Sequence, residues 1–293
     1  GQGWLRGLLQ TLLGVHRDRQ VLHYQRKTFV RWWARRSAGR KVGTGKKAAL
    51  FAGCLVNYQA TDVGKATVQV LEKNGVEVAL PDQSCCGMPS FDIGDTAAMV
   101  AAAERTIASL KSWVDQGYDV VIPTPSCSLM VKREYVSLVA GDEAKRVAEH
   151  TYDISEYLMK MKREGGLAMD FTQKPGRVAY QVPCHLRDQN IGFKSKELME
   201  CAGAKVEVIE KCSGHDGSWS AKVEFFPLSM KIAQKAVRMV EQAPADLVAS
   251  DCPLAGLQLD QAGAVAHAGG RSSQHPIQIV RDAYGLPRDP RAS

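Results

Sequence analysis

The chain lacks any apolar run near the roughly twenty residues needed to span a bilayer as a helix, and it has no apolar signal core with a small-residue cleavage site. Aromatic residues are few, at 7%. The ferredoxin spacing Cys-x2-Cys-x2-Cys-x3-Cys is missing, and no glycine fingerprint for a hydride-carrying dinucleotide is evident. No nucleophile, base and acid stand together as a hydrolytic set. These absences argue against a helical membrane span, a secreted disulfide scaffold, a ferredoxin and a nicotinamide dehydrogenase. Acid is scarce at the start. The first fifty residues hold twelve Lys and Arg against Asp18 alone, a charge of +11, so the total of +7 leaves −4 for the remainder. The basicity belongs to a leader and not to the body.

What is present is cysteine. At 293 residues, 45% hydrophobic and 24% charged, the chain is long enough to bury a core in one or two soluble domains without disulfide staples. In a reducing compartment, eight clustered cysteines point to metal binding or redox work. The expected location is therefore cytoplasmic. The pattern centres on Ser84-Cys85-Cys86-Gly87-Met88-Pro89, because two adjacent thiols on a tight turn cannot both face a core. Cys54 precedes it at the end of a strand-like run, and Cys127 follows it at the end of another. The same layout recurs as Cys184, Cys212-Ser213-Gly214 and Cys252, so seven of the eight cysteines fall into a doubled pattern.

Between these cysteines the periodicity predicts a strand at 47–53, a helix at 61–74 closed by Asn74-Gly75, a strand at 76–80, a helix at about 95–116 and a strand at 119–123. The second half predicts strands at 178–182, 205–209 and 247–251, helices near 194–202 and 226–242, a small-residue loop at 264–273 and a closing helix after Gln274. The expected fold is α/β, two tandem pseudo-repeated parallel-sheet halves behind a basic helical leader. The expected boundaries are 1–46 for leader and linker, 47–170 for the first half and 171–293 for the second. Loops at the C-terminal ends of parallel strands share one rim, which brings distant cysteines together.

Thiolates at Cys54, Cys85, Cys86 and Cys127 make a soft ligand set suited to iron–sulfur clusters, zinc or copper(I). Vicinal cysteines reach two vertices of one small tetrahedron poorly, so a cluster with several irons fits better than structural zinc. Metal-free thiol redox and plain structural cysteines remain alternatives. Cys184, Cys212 and Cys252 supply three thiols, with Ser213 where a vicinal cysteine is expected. His215 is a candidate fourth donor or a histidine that merely braces its turn. His185, beside Cys184, is a candidate donor to a cluster sulfur or a packing residue, and Cys201 reads as a small buried hydrophobe.

The segments Gly53-Cys54-Leu55-Val56-Asn57, Cys85-Cys86-Gly87-Met88-Pro89, Pro123-Thr124-Pro125-Ser126-Cys127, Pro183-Cys184-His185-Leu186 and Ser250-Asp251-Cys252-Pro253 resemble the duplicated cysteine-rich CCG domain over about 47–288. That family includes the B subunit of heterodisulfide reductase, the C subunit of anaerobic glycerol-3-phosphate dehydrogenase and iron–sulfur proteins of lactate and glycolate oxidation. The resemblance implies a [4Fe–4S]-type cluster in the first half and room for a second. It also implies relay between a flavoprotein dehydrogenase subunit and a quinone or other acceptor, so the chain is expected not to oxidise the organic substrate itself. Direct action on a disulfide or quinone is the enzymatic alternative, and a metal-stabilised scaffold is the non-redox one. The family motif ends in Cys-x-x-Cys, and reading Cys127 and Cys252 as its first cysteines leaves Met130 and Ala255 at the last position.

In the leader, Trp4, Leu5, Leu8, Leu9, Leu12 and Leu13 recur at helical spacing, followed by Arg31-Trp32-Trp33-Ala34-Arg35-Arg36. Basic residues interleaved with tryptophan suit an anionic membrane surface or a membrane subunit. A packing arm on the body is the alternative, and nucleic acid is not expected as a partner. Residues 37–45 read as a linker. The opening at Gly1 leads one to expect an upstream segment, and the leader resembles the stretch that follows a two-cluster ferredoxin domain in the glycerol-3-phosphate dehydrogenase-like members. A ferredoxin-type domain or subunit is therefore an expected partner.

Overall fold

The structure is a computed structural model that describes residues 3–36 and 45–288. The expected linker, apart from Gly45, lies outside the described residues. The body consists of two parallel sheets. The first contains β1 (Lys47–Leu50), β2 (Glu77–Ala79), β3 (Asp119–Ile122) and β4 (Thr151–Asp153) in the order β2-β1-β3-β4, and the second contains β5 (Arg177–Gln181), β6 (Lys205–Ile209) and β7 (Leu247–Ser250) in the order β6-β5-β7. Ala48, Ala49 and Leu50, like Val120, Val121 and Ile122, are fully buried, as strands covered by helices on both faces require. In both halves the chain leaves the first strand to one side and crosses to the other. The loops after β1 and β3, and likewise after β5 and β7, therefore diverge around a crevice at the C-terminal rim.

The duplication extends to register. Ala48 pairs with Val78 and Asp119, and Val178 pairs with Val206 and Leu247. β1 thus maps onto β5 by 130 residues, and β2 and β3 map onto β6 and β7 by 128. The counterpart of β4 is reduced to one parallel bridge, Ala249 to Gln274. After both, the chain enters a helix through a capping box, Asp153 with Glu156 and His275 with Gln278.

The first strand is shorter than expected. It ends at Leu50, and Cys54 sits in the first turn of a helix, Gly53–Tyr58. The stretch after Cys127, where sequence reading placed no element, holds a helix from Pro125 to Leu138 with a π turn at Met130–Glu134, then Asp142–Glu149, β4 and Ile154–Arg163. The loop expected at 264–273 contains a short 3₁₀ turn, Ala264–His267.

The leader lies across both halves. Val15 bridges Lys222, and the His16 ring stacks on Phe226 at 4.0 Å. Phe29 is fully buried in the first-half core. Gly64 makes room for it, since a Cβ there would come within 2.8 Å of the Phe29 ring. Trp32 and Trp33 pack on the same core, and Arg36 pairs with Glu72. Through Val15, His16, Phe29, Trp32, Trp33 and Arg36 the leader thus packs on the body. Among the described residues no helix is long and apolar enough to cross a membrane.

Candidate metal centre

Three loops of the first half deliver four thiols to one rim. Cys54 follows β1, where Gln83 clamps the turn: its Oε1 accepts from Ala52 N at 2.8 Å and Gly53 N at 3.1 Å, and its Nε2 donates to Leu50 O at 2.8 Å. Gly53 has φ +64°, and a Cβ on it would lie 3.1 Å from Cys127 Sγ, so glycine permits both the turn and the approach of that sulfur. Cys85 and Cys86 follow β2, and the buried Tyr135 hydroxyl holds their turn by donating to Cys86 O at 2.7 Å. Cys127 lies in the helix Pro125–Leu129 after β3.

Cys54 Sγ and Cys85 Sγ are 3.9 Å apart. A hydrogen bond from Cys54 is the main force holding the Cys85 thiol well below its ordinary value, with Cys86 and the Gly87 N–H adding to it. Cys127 is likewise pulled down, first by Cys86 and then, against burial, by the Thr124 hydroxyl. Their partners move the other way: Cys54 is pushed up by its bond to Cys85 and by burial, and Cys86 by its bonds to Cys127 and Cys85 and by burial.

In the second half, Cys184 opens the helix Cys184–Asp188 and Cys212 lies in the turn after β6; both are exposed. Cys212 is lowered to about 6, first by the hydrogen bond from Cys184 and also by Gly214 N–H, which stands 3.3 Å from its sulfur. The same bond, with burial, pushes Cys184 up. Cys252 caps the helix Pro253–Gln261, and burial raises its thiol. His215 lines the same space as a neutral imidazole, lowered to about 4 by burial and then by the charge of Arg19.

All seven thiols border one cavity of about 600 Å³ between the halves. The walls are joined across it. Ser126 Oγ and His185 Nδ1 are 2.9 Å apart, Gln189 Nε2 donates to Ser128 Oγ at 2.8 Å, and His275 Nε2 donates to Pro123 O at 2.9 Å. Behind the cavity, Tyr180 and Ser195 hydroxyls donate to the buried Asp251. Cys201 lies apart, partly buried at the edge of the first-half core, with its sulfur 3.0 Å from Lys162 Nζ.

The strand register corrects one correspondence. Matching cysteine to cysteine equates Cys127 with Cys252, but the 128-residue shift of β3 onto β7 equates Thr124 with Cys252 and Cys127 with Ala255. The caps agree: Thr124 precedes Pro125 and Cys252 precedes Pro253, each proline at the start of its helix. Met130 is therefore not a lost ligand position, being equivalent to Gln258. The clue in the sequence was the shared proline after Thr124 and Cys252. Gln83 and Arg19, which also shape the site, carry no local signal of it.

Soft thiols on vicinal and loop positions, with backbone N–H groups aimed at sulfur, are a donor set that fits an iron–sulfur cluster. Among the described residues, no group of three His, Cys, Asp or Glu closes around a point for a single ion.

The cysteine-rich CCG domain matches this chain twice, at residues 48–132 and 178–260. Lactate utilization protein A of Geobacillus thermodenitrificans is 31% identical over 82% of this chain and 98% of its own length. The corresponding protein of Geobacillus kaustophilus is 32% identical over 82% and 98%. The C subunit of anaerobic glycerol-3-phosphate dehydrogenase from Escherichia coli K12 is 27% identical over 95% of this chain and 69% of its own.

Proposed function

The chain belongs to the cysteine-rich CCG family, and from that premise we propose that it is an iron–sulfur electron-transfer subunit of a dehydrogenase complex. The observation that carries this is convergence: Cys54, Cys85, Cys86 and Cys127 arrive from three loops on one cavity, with the Cys54 and Cys85 sulfurs 3.9 Å apart. These residues would hold a [4Fe–4S]-type cluster, and Cys184, Cys212 and Cys252 a second, with His215 the candidate fourth donor. A cluster bound there supplies one-electron transfer at a potential set by charge, hydrogen bonds and exposure. The chain's own contribution is to hold thiolates ready. Gly87 and Gly214 N–H groups stabilise Cys85 and Cys212 as anions, and buried Cys86 and Cys127 keep water from the inner side of the first site.

A flavoprotein dehydrogenase subunit, acting on glycerol 3-phosphate or a 2-hydroxy acid, would supply the electrons. A ferredoxin-type domain or subunit and a quinone or other acceptor complete the path. The names of the relatives, lactate utilization and anaerobic glycerol-3-phosphate dehydrogenase, support that setting.

The helix Gly3–Leu13 supports a further contact. It turns its polar side inward, with Arg6 donating to Arg19 O at 2.7 Å and Gln10 accepting from Arg17 N at 3.0 Å. Trp4, Leu5, Leu8, Leu9, Leu12 and Leu13 face outward, Trp4 at 75% exposure. An outward apolar stripe within a basic leader suits the surface of an anionic membrane, where each Lys or Arg near the surface adds about 1 kcal/mol. On this view the protein is cytoplasmic and peripheral at the inner membrane.

The test is anaerobic purification, followed by iron and acid-labile sulfide analysis and EPR of oxidised and reduced samples. About four irons per chain indicate one loaded site and about eight indicate two. Stoichiometric zinc without iron overturns the proposal.

A further inference from the structure

Arg19 is 3% exposed. Its guanidinium donates to Gln258 Oε1 and to Ser220 Oγ, the latter at 3.3 Å. Among the described residues no carboxylate pairs with it, and burial alone shifts its titration, downward. A buried cation without a counter-charge is unfavourable, and an anion placed near it would offset that cost.

Its surroundings show where that compensation lies. Gln258 passes the contact on, donating to Ser229 Oγ at 3.1 Å, and Ser229 donates to Gly214 O at 2.7 Å. Gly214 belongs to the Cys212-Ser213-Gly214 turn, and its N–H stands 3.3 Å from Cys212 Sγ. Gln258 itself follows Cys252 on the helix Pro253–Gln261. Three successive hydrogen bonds thus join the buried guanidinium of the leader to the Cys212 turn. The first half is built differently. The position equivalent to Gln258 is the fully buried Met130, and the cysteine turn is held by the neutral Tyr135.

We infer that Arg19 is the counter-cation of an anionic cluster held by Cys184, Cys212 and Cys252, so that the second half is a loaded site whose potential the leader sets. The inference rests on the iron–sulfur assignment above. A positive charge beside a cluster favours the reduced form, which carries one more negative charge, and therefore raises the potential. Arg19 is a positioning and tuning residue. It need not touch the reacting atoms.

The experiment compares Arg19→Met and Arg19→Lys with the parent chain, reconstituted anaerobically, by EPR-monitored redox titration. Cys184→Ala identifies the second-half signal by removing it. Arg19→Met is expected to make reduction at that site about tenfold less favourable, a drop of about 59 mV for one electron. Arg19→Lys should stay near the parent, and the first-half signal should not move. The second readout is thermal unfolding. Without iron, Arg19→Met is expected to be at least as stable as the parent, because a neutral side chain replaces an uncompensated buried charge; once loaded, it should be the less stable of the two. An unchanged second-half potential in Arg19→Met overturns the inference. So does a protein that loads only about four irons with a spectrum indifferent to Cys184→Ala, or an Arg19→Met apoprotein that loses its fold. A parent chain that binds no iron at all overturns the iron–sulfur assignment beneath it instead.

Discussion

Thr124 stands in the first half where Cys252 stands in the second. Each caps a helix that begins with proline, and each follows a strand paired in the same register, Asp119 beside Ala48 and Leu247 beside Val178. The two halves therefore carry this cysteine at different positions of equivalent helices: Cys127 three residues past the cap of the first, and Cys252 at the cap of the second. Both border the same cavity, close enough for Cys127 to add to the burial that raises Cys252. The sites are related by duplication and yet are not superposable as ligand sets.

Separate sites should fail separately. Cys127→Ala is expected to remove the first-half EPR signal and about half of the bound iron of a fully loaded chain, leaving the other signal in place. Cys252→Ala should do the converse. Loss of both signals from either single substitution would mean that the cavity holds one shared centre.

The turn glycines offer a stability test. Gly214 has φ +79°, and a Cβ there would lie 2.3 Å from Ser229 O, whereas Gly270 at φ +68° has nothing within 4 Å of its Cβ position. Gly270→Ala should cost about 1–2 kcal/mol from the left-handed conformation alone. Gly214→Ala should cost more, because the backbone must also move, and it should release iron from Cys212. Urea unfolding with iron analysis measures both. Equal costs at the two positions would show that the Ser229 contact yields freely.

How much of this was legible in the sequence follows from what each residue needs. The cysteine turns were legible because Cys-Cys-Gly and Cys-Ser-Gly carry their own chemistry, and each follows a short valine-bearing strand, Glu77–Ala79 and Lys205–Ile209. The pairing of Thr124 with Cys252 was not, since motif matching aligns thiol with thiol while the backbone aligns cap with cap. β4 was missed because three residues show no periodicity, although Asp153 and Glu156 spelled a capping box. Nothing local in the sequence marks Arg19 as buried. Its burial depends on Gln258 and Ser220, more than two hundred residues away.

The leader should divide into two functions. Phe29→Ala removes a fully buried ring from the first-half core and is expected to cost about 3–5 kcal/mol in unfolding experiments. Replacing Trp4 and Leu8 by serine should leave stability within about 0.5 kcal/mol, since both are exposed. The same double variant should lose flotation with vesicles containing anionic lipid. Flotation equal to the parent's, or equal on neutral vesicles, would remove the membrane from the proposed partners.

The last prediction concerns pH. Asp153 is fully buried; its Oδ1 accepts from Ser155 N at 2.9 Å and its Oδ2 has no partner. Burial, and after it the Asp251 carboxylate, push its pKa up to about 8. In the unfolded chain an aspartate titrates near 3.9. Between those values the folded state holds a proton that the unfolded state has released, so stability from this group is greatest at the acid end. It falls as pH rises through the window and levels off above about 8. Asparagine keeps the cap oxygen and cannot ionise. Unfolding free energies of the metal-free chain at about pH 5 and pH 8 should therefore differ in the parent and differ much less in Asp153→Asn. If the variant keeps the parent's slope, the proton belongs to another group and Asp153 is ionised in the folded protein.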